Sequence, residues 1–358
     1  MPAATPPETL RDFARRYAPA ATTDRGAELI PLAGDAGLRR YYRLTSAPPL
    51  ILVAAPPKQA KMLEFVQVAD YLHSAQVRVP HTYAVDFARG FLLLEDLGDL
   101  SLQAQLSKQD GPDQPNGQDA ARLYAAALHL LERMQRGTRP DWLPAYSAAL
   151  LQQELQLFPE WFAAKLLGIT PDAATQRTLD AAFALLIKSA LEQPQVFVHR
   201  DFHCRNLMVT GDGQLATIDF QDAVWGPLTY DLVSLCRDCY LRWPPQQVAE
   251  TIQQQTARLR EQGRLSAAQQ ADFPRWVDWM GLQRHLKVLG IFARLSLRDG
   301  KPQYLADLPL VLRYCLETAA RYPPLAALHR FLAEGLVPAA QQQPWYRDWQ
   351  NAGQTLDF

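Results

Sequence analysis

Long apolar runs are absent from this chain. No stretch approaches the roughly twenty apolar residues that a membrane span requires, and the N-terminal segment MPAATPPETLRDFARRYAP lacks the apolar centre of a secretory signal. A cytoplasmic protein with no membrane partner is expected. An excess of charge of either sign is also absent: 36 Lys and Arg stand against 37 Asp and Glu, for a net charge of −1. That balance argues against a broad nucleic-acid-binding surface, which demands a basic surplus, and any anionic substrate must be met locally. Cysteine is scarce, at four residues, and the one C-x-x-C, Cys236 and Cys239, has neither a second pair nor a βαβ context to make it a zinc or redox site. Spaced three apart on an expected helix over 229–241, the two thiols share a face and read as small core residues. Cys204 has no neighbour that marks it as a nucleophile. Internal repeats and low-complexity tracts are missing as well.

What is present is an ordinary globular composition, 48% hydrophobic and 20% charged over 358 residues, long enough for two lobes. One run carries chemistry. Val198 to Asn206 reads VHRDFHCRN, and thirteen residues after its Asn comes Asp219 in ATIDFQD. Phosphoryl transfer from ATP to a hydroxyl needs a carboxylate beside the hydroxyl to orient it and accept its proton, a role that suits Asp201. Asn206 can turn its amide oxygen toward a metal ion, and Asp219, after the β-branched Thr217-Ile218, offers an anionic oxygen to Mg²⁺. A lone His-Arg-Asp triplet is no more than a surface salt bridge. With Asn206, apolar strands on each side and Asp219 at this distance, it points to an enzyme that uses ATP and Mg²⁺.

The run resembles the catalytic loop H-x-D-x-x-x-x-N and the downstream metal-binding Asp of the aminoglycoside phosphotransferase and choline kinase superfamily, distant relatives of the protein kinases. The resemblance implies an α+β, bilobal protein-kinase-like fold, with a small mixed N-lobe built on an antiparallel sheet and a larger, mainly helical C-lobe. It also implies that Asp231, in GPLTYDLVSL, braces the catalytic loop from behind, with His199 as further support. The plain alternative for Asp231 is a first-turn residue complementing a helix dipole.

The periodicities fit this architecture. AELIPL, RRYYRLT and LILVAA, over residues 27–55, read as an antiparallel meander, with Gly34 to Gly37 as the first turn. In a kinase this turn covers the nucleotide phosphates, and Gly34 would let backbone amides approach them; a plain hairpin is the alternative. Met62 to Ser74 has a helical stripe of Met62, Phe65, Val66, Ala69 and Leu72. Strands around YAVDFA and GFLLLEDLG follow. In the kinase-like fold the run Leu94-Glu95-Asp96-Leu97-Gly98 would be the hinge, with backbone groups from Glu95 to Leu97 facing adenine. Helices are expected at about 118–136, 146–167 and 172–192, strands and loops over 196–220, and helices nearly to the end. The expected lobes are residues 1–97 and 98–358.

A kinase-like enzyme typically holds the α- and β-phosphates with a Lys on its third strand, paired to a Glu on the next helix. Here that strand, LILVAAPP, has no Lys. Lys58 and Lys61 follow it and Glu64 lies on the helix, while Arg39 and Arg40 flank the glycine turn; any of the four cations can serve. The metal-side sequence reads Asp219-Phe220-Gln221-Asp222, and Asp222 is either a second carboxylate of the site or a loop salt bridge.

Motif chemistry defines the reaction and leaves the acceptor open. LLQQELQLFPEWFAAKLLG, VHRDFHCRNLMV and IDFQDAVWGPLTYDLVSL, with the GFLLLEDLG hinge, make the chain similar to bacterial anomeric kinases of N-acetylmuramate and N-acetylglucosamine. This resemblance implies an amino-sugar partner, sugar 1-phosphate products, a place in peptidoglycan recycling toward UDP-N-acetylmuramate, and a bypass of fosfomycin-sensitive steps. Acetamido and hydroxyl groups call for convergent polar side chains in a concave site. Glu154, His203, Arg205, Gln221 and Asp222 are candidates, and Arg205 or Arg284 suits the lactyl carboxylate. Glu154 alternatively faces solvent, beside the core stripe of Leu151, Leu155, Phe158 and Phe162. A monomer is expected. The competing readings are an aminoglycoside- or choline-type kinase, which would need an acidic pocket, and a non-catalytic pseudokinase, suggested by the missing strand Lys. A protein kinase would need an A-P-E segment that the chain lacks.

Overall fold

The computed structural model describes residues 8–19, 28–32, 39–56, 61–107 and 117–353. Gly34, Gly37 and Lys58 lie outside the described residues. The chain forms two compact units, residues 1–105 with 205–222, and residues 106–204 with 223–358.

The first unit is built on five antiparallel strands, β1 (Leu29–Leu32), β2 (Arg40–Leu44), β3 (Leu50–Ala54), β4 (Thr82–Asp86) and β5 (Phe91–Glu95), in the order β1-β2-β3-β5-β4. Alternation explains the burial: Tyr42 and Leu44 on β2 and Leu50 and Leu52 on β3 turn inward, as period-2 strands require. They meet Leu10, Phe13 and Ala14 of α1 (Glu8–Tyr17), a helix not anticipated above. In α2 (Met62–Ser74) the buried stripe is Met62, Phe65, Val68, Ala69 and Leu72, so Val68 takes the place expected for Val66.

The hairpin of β7 (Leu207–Val209) and β8 (Leu215–Thr217) belongs to this unit, whereas the expected lobes divided the chain at a single point, 97/98. Backbone bonds account for the difference. The amide of Val209 donates to the Leu100 carbonyl at 2.7 Å and that of Thr217 to the Arg78 carbonyl at 2.9 Å.

The second unit is mainly helical. After a short helix, α3 (Leu102–Leu106), come α4 (Gly117–Met134), α5 (Ala148–Leu155), α6 (Ala173–Glu192), α7 (Tyr230–Cys236), α8 (Pro245–Glu261), α9 (Ala267–Asp299) and α10 (Leu308–Arg321), with one strand pair, β6 (Gln195–Val198) and β9 (Val224–Pro227). α9 spans 33 residues. It begins with a Ser266/Gln269 capping box, ends at Gly300 in the left-handed conformation, and is buried along most of its length. The helix expected over 146–167 is α5 followed by a π-helical segment, Phe158–Leu166; Pro159 has no N–H with which to continue the α ladder. Just before that segment, Gly290 of α9 lies against Leu157, and a Cβ at 290 would overlap the Leu157 carbonyl. The helix expected over 229–241 ends at Cys236, so Cys239 lies beyond it. Both thiols are buried, which pushes them up to about 12 and about 11 and makes them unreactive. Among the described residues no helix is long and apolar enough to cross a membrane.

Candidate active site

In the second unit, β6 delivers the chain to His199, which is fully buried. The Asp231 carboxylate, in the first turn of α7, accepts the amides of His199 (2.7 Å) and Arg200 (3.1 Å). Arg200 has φ 77°, a left-handed conformation uncommon for a residue with a Cβ, and the Asp201 amide donates to His199 Nδ1 at 3.3 Å. Downstream, Asp238 accepts the Cys204 amide at 2.9 Å and the Tyr240 amide at 3.0 Å. Turning the chain at Asp238 also explains why α7 stops early. Two buried carboxylates therefore hold the backbone on either side of Asp201.

Electrostatics separate the carboxyls. Burial pushes Asp231 up to about 7, against the pull of its two amides. Burial would push Asp201 up as well, but the positive charges of Lys287, His203, Arg200 and Arg284 outweigh it and hold that carboxyl below the usual range.

Glu154 neither faces solvent nor stands open. It is 5% exposed and takes donors from Tyr146 Oη, Arg200 Nη2, Lys287 Nζ (2.9 Å) and Gln283 Nε2 (3.4 Å). Lys287 also donates to Tyr230 Oη at 3.0 Å. Arg284, buried one turn from Lys287, points Nη1 to Cys239 Sγ at 3.2 Å. His203 packs edge-on against Tyr240, with ring centroids 5.3 Å apart. Sequence reasoning missed Tyr146, Asp238, Gln283 and Lys287. The available signal was the polar set Gln283-Arg284-His285 and Lys287 inside an otherwise apolar helical stretch.

In the first unit, Asn206 and Asp219 flank the open end of the β7–β8 hairpin, where the Ile218 amide donates to the Asn206 carbonyl at 3.0 Å. Asp219 is exposed, has φ 64°, and accepts Gln221 Nε2 at 2.7 Å. Phe220 turns inward and stacks on Phe65 of α2, with centroids 4.8 Å apart. Asp222 pairs with Lys61, whose carbonyl accepts Arg39 Nη2 at 3.3 Å; the Arg39 guanidinium lies 5.6 Å from the Phe65 ring centre. Glu64 is exposed, so the carboxylate brought to Lys61 is that of Asp222. Arg40 is exposed on β2, paired in register with Ala54. Arg205 Nε donates to Gln103 Oε1 at 2.8 Å.

Along the expected hinge, the Glu95 amide is taken by the His81 carbonyl at 2.8 Å and the Glu95 carboxylate by Arg78 and the His81 amide. Asp96 accepts the Gly98 amide at 2.9 Å, and Gly98 has φ 85°, which glycine adopts without strain. Arg43 of β2 binds both Asp96 and Asp99, fastening this stretch to the sheet.

Among the described residues no cluster of three or more His, Cys, Asp or Glu could hold a metal by itself. The side-chain amide of Asn206 and the carboxylate of Asp219, carried on segments paired by the backbone bond from Ile218 to Asn206, offer hard oxygen donors of the kind magnesium takes when phosphate oxygens and water complete its shell.

Residues 28–266 match the sequence model of the phosphotransferase enzyme family. The chain is 42% identical over 308 residues to the N-acetylmuramate/N-acetylglucosamine kinase of Pseudomonas aeruginosa, covering 86% of this chain and 88% of that protein. It is 37% identical over 315 residues to the kinase of the same name from Neisseria meningitidis serogroup B, covering 87% and 91%. Among solved structures it is similar to a choline kinase from Streptococcus pneumoniae (TM-score 0.53, 11% identity, 88% of this chain and 98% of that one). An ethanolamine kinase of Plasmodium vivax gives TM-score 0.57 at 12% identity, covering 88% and 86%. At these identities the structural likeness establishes the protein-kinase-like fold.

Proposed function

The chain belongs to the phosphotransferase enzyme family, and from that premise we propose that it transfers the γ-phosphoryl group of ATP to the anomeric hydroxyl of N-acetylmuramate and N-acetylglucosamine. The sugar 1-phosphates would enter peptidoglycan recycling toward UDP-N-acetylmuramate. The shared name of its relatives supports the acceptor class. The observation that carries the reading is the setting of Asp201, fixed in backbone by Asp231 and Asp238 and kept anionic by surrounding cations.

An ionised carboxylate orients the sugar hydroxyl and accepts its proton as the O–P bond forms and the bond from the γ-phosphorus to the ADP oxygen breaks. Asn206 and Asp219 would hold Mg²⁺. When bound, the ion offsets the phosphate charge that builds on the leaving group. Lys61 and Arg39 are the described cations best suited to take over from the missing strand Lys, because Asp222 and the Lys61 carbonyl already orient them. Adenine would meet backbone groups at Asp96 and Leu97, since the Glu95 amide is already used within the sheet. His203, Arg205, Gln221 and Arg284 remain the candidate sugar contacts, with a guanidinium for the lactyl carboxylate. Glu154 acts from behind the loop.

Lys287, Arg200, Arg284 and His203 around Asp201 disfavour a cationic acceptor, which separates this reading from a choline- or aminoglycoside-type kinase. Incubation with ATP, Mg²⁺ and a panel of amino sugars, choline and aminoglycosides, with products read by mass and ³¹P NMR, tests it. A 1-phosphate of N-acetylmuramate is expected; turnover of choline or an aminoglycoside alone would overturn the assignment.

A further inference from the structure

The buried ion cluster behind Asp201 has more members than loop anchoring needs. Asp231 and Asp238 already hold the backbone amides. Glu154 nevertheless gathers Arg200 and Lys287 at one carboxylate, with Tyr146 and Gln283 completing its hydrogen bonds. One anion facing two cations leaves, in a buried place, a positive charge that a second anion must answer, and Asp201, held ionised by Lys287 and Arg200 among others, is the anion that answers it.

We infer that Glu154 and Lys287 are positioning residues for phosphoryl transfer, with Glu154 locking Arg200, and through it the left-handed turn before Asp201, while Lys287 supplies positive charge behind the acceptor-side carboxylate. The geometry supports both parts. Arg200 is the residue at φ 77° directly before Asp201, and its guanidinium ends on Glu154. Lys287 comes from a different element, α9, and bridges Glu154 to Tyr230, the residue before Asp231. The charged groups around Asp201 are Lys287 and Arg284 from α9, Arg200 and His203 from the loop, and Asp231 from α7. Of these, Lys287 is the strongest charge opposing the burial that would otherwise raise the Asp201 carboxyl.

The inference rests on Asp201 being the acceptor-side base, and the experiment keeps the two apart. Glu154→Gln, Lys287→Met, their double variant and Lys287→Arg are made in the full chain and compared in kcat, KM for each substrate, pH profile and thermal stability. Each neutralising single variant should lower kcat at least tenfold with KM for ATP within about twofold; Glu154→Gln should lose stability by leaving Arg200 and Lys287 without their carboxylate, and Lys287→Met should lose less, because Arg200 still pairs with Glu154. The double variant should recover part of the stability that Glu154→Gln loses, since one of the two stranded cations is gone, without recovering kcat, because the charge behind Asp201 is still missing. Lys287→Arg should retain most of the rate. Lys287→Met should move the acid limb of kcat/KM to higher pH, and Glu154→Gln should not.

Recovery of kcat together with stability in the double variant, or unmoved acid limbs in all variants, would reduce the cluster to a folding element and overturn the inference. If a single variant does not fold, the double variant against Lys287→Arg decides the same point. If Asp201→Asn keeps its activity, the reading of Asp201 fails first, and the cluster is not the cause.

Discussion

Asp201 and Asp219 are held in opposite ways. Asp201 sits on a backbone clasped by two buried carboxylates and backed by a buried ion cluster. Asp219 is exposed on a left-handed residue at the end of a short hairpin, and its neighbours Gln221 and Asp222 make exposed or half-exposed contacts. The contrast suits the proposed roles: a group that moves a proton must keep one charge state and one direction, and burial among fixed charges does that, whereas a group that binds a metal with an incoming nucleotide needs an accessible oxygen. In the proposed reaction the rigid carboxylate would serve the acceptor and the accessible one the nucleotide.

Substitutions can break this contrast, in decreasing order of effect. Asp201→Asn should reduce kcat by about a thousandfold, the scale of a lost general base, while ATP binding measured by calorimetry stays near wild type. Asp219→Asn should cost about a hundredfold, the scale of several kcal/mol of lost metal charge stabilisation, and raise the metal concentration for half-maximal rate; an unchanged metal requirement would remove its role. Asp231→Asn should cost about tenfold, since an amide accepts one backbone N–H well and opposes the second with its own donors.

The same Asp231 substitution has a signature in stability. Its carboxyl titrates at about 7 in the folded chain and at about 4 when unfolded. Between these values the folded state holds a proton that the unfolded state has released, so the contribution of Asp231 to stability falls as pH rises from about 4 to about 7. Denaturant midpoints across that window should decline less in Asp231→Asn. The smallest effect is expected at Lys61→Ala: an exposed cation meeting a phosphate is screened by solvent as surface ion pairs are and contributes about 1 kcal/mol, so KM for ATP should rise by no more than about fivefold.

The sequence was most legible where chemistry and periodicity coincide. Asp231 was expected as a brace because the motif places it, and its carboxylate accepts the amides of His199 and Arg200. The strands at 29–32, 40–44 and 50–54 were readable from short apolar and aromatic runs bounded by turn residues. Glu154 was not, because a carboxylate beside a core stripe looks alike whether it faces solvent, ligand or a buried Lys 133 positions away. Asp238 was hidden for a related reason: an expected helix running through it offered no hint that its side chain would cap a distant loop. The hairpin's membership of the first unit depends on backbone bonds to residues 78 and 100, which leave no side-chain pattern.

Gly290 has a consequence for the acceptor side. Its contact with Leu157 lies three residues after Lys287 on one strand of chain and three after Glu154 on the other, one helical turn from the ion pair in each case. Backbone pressed on backbone at that point sets the rotational phase of α9, as a pin sets the index of a dial. A single methyl group there would turn the helix away from the register that points Lys287 at Glu154, so the absence of a side chain gauges where the charge behind Asp201 falls.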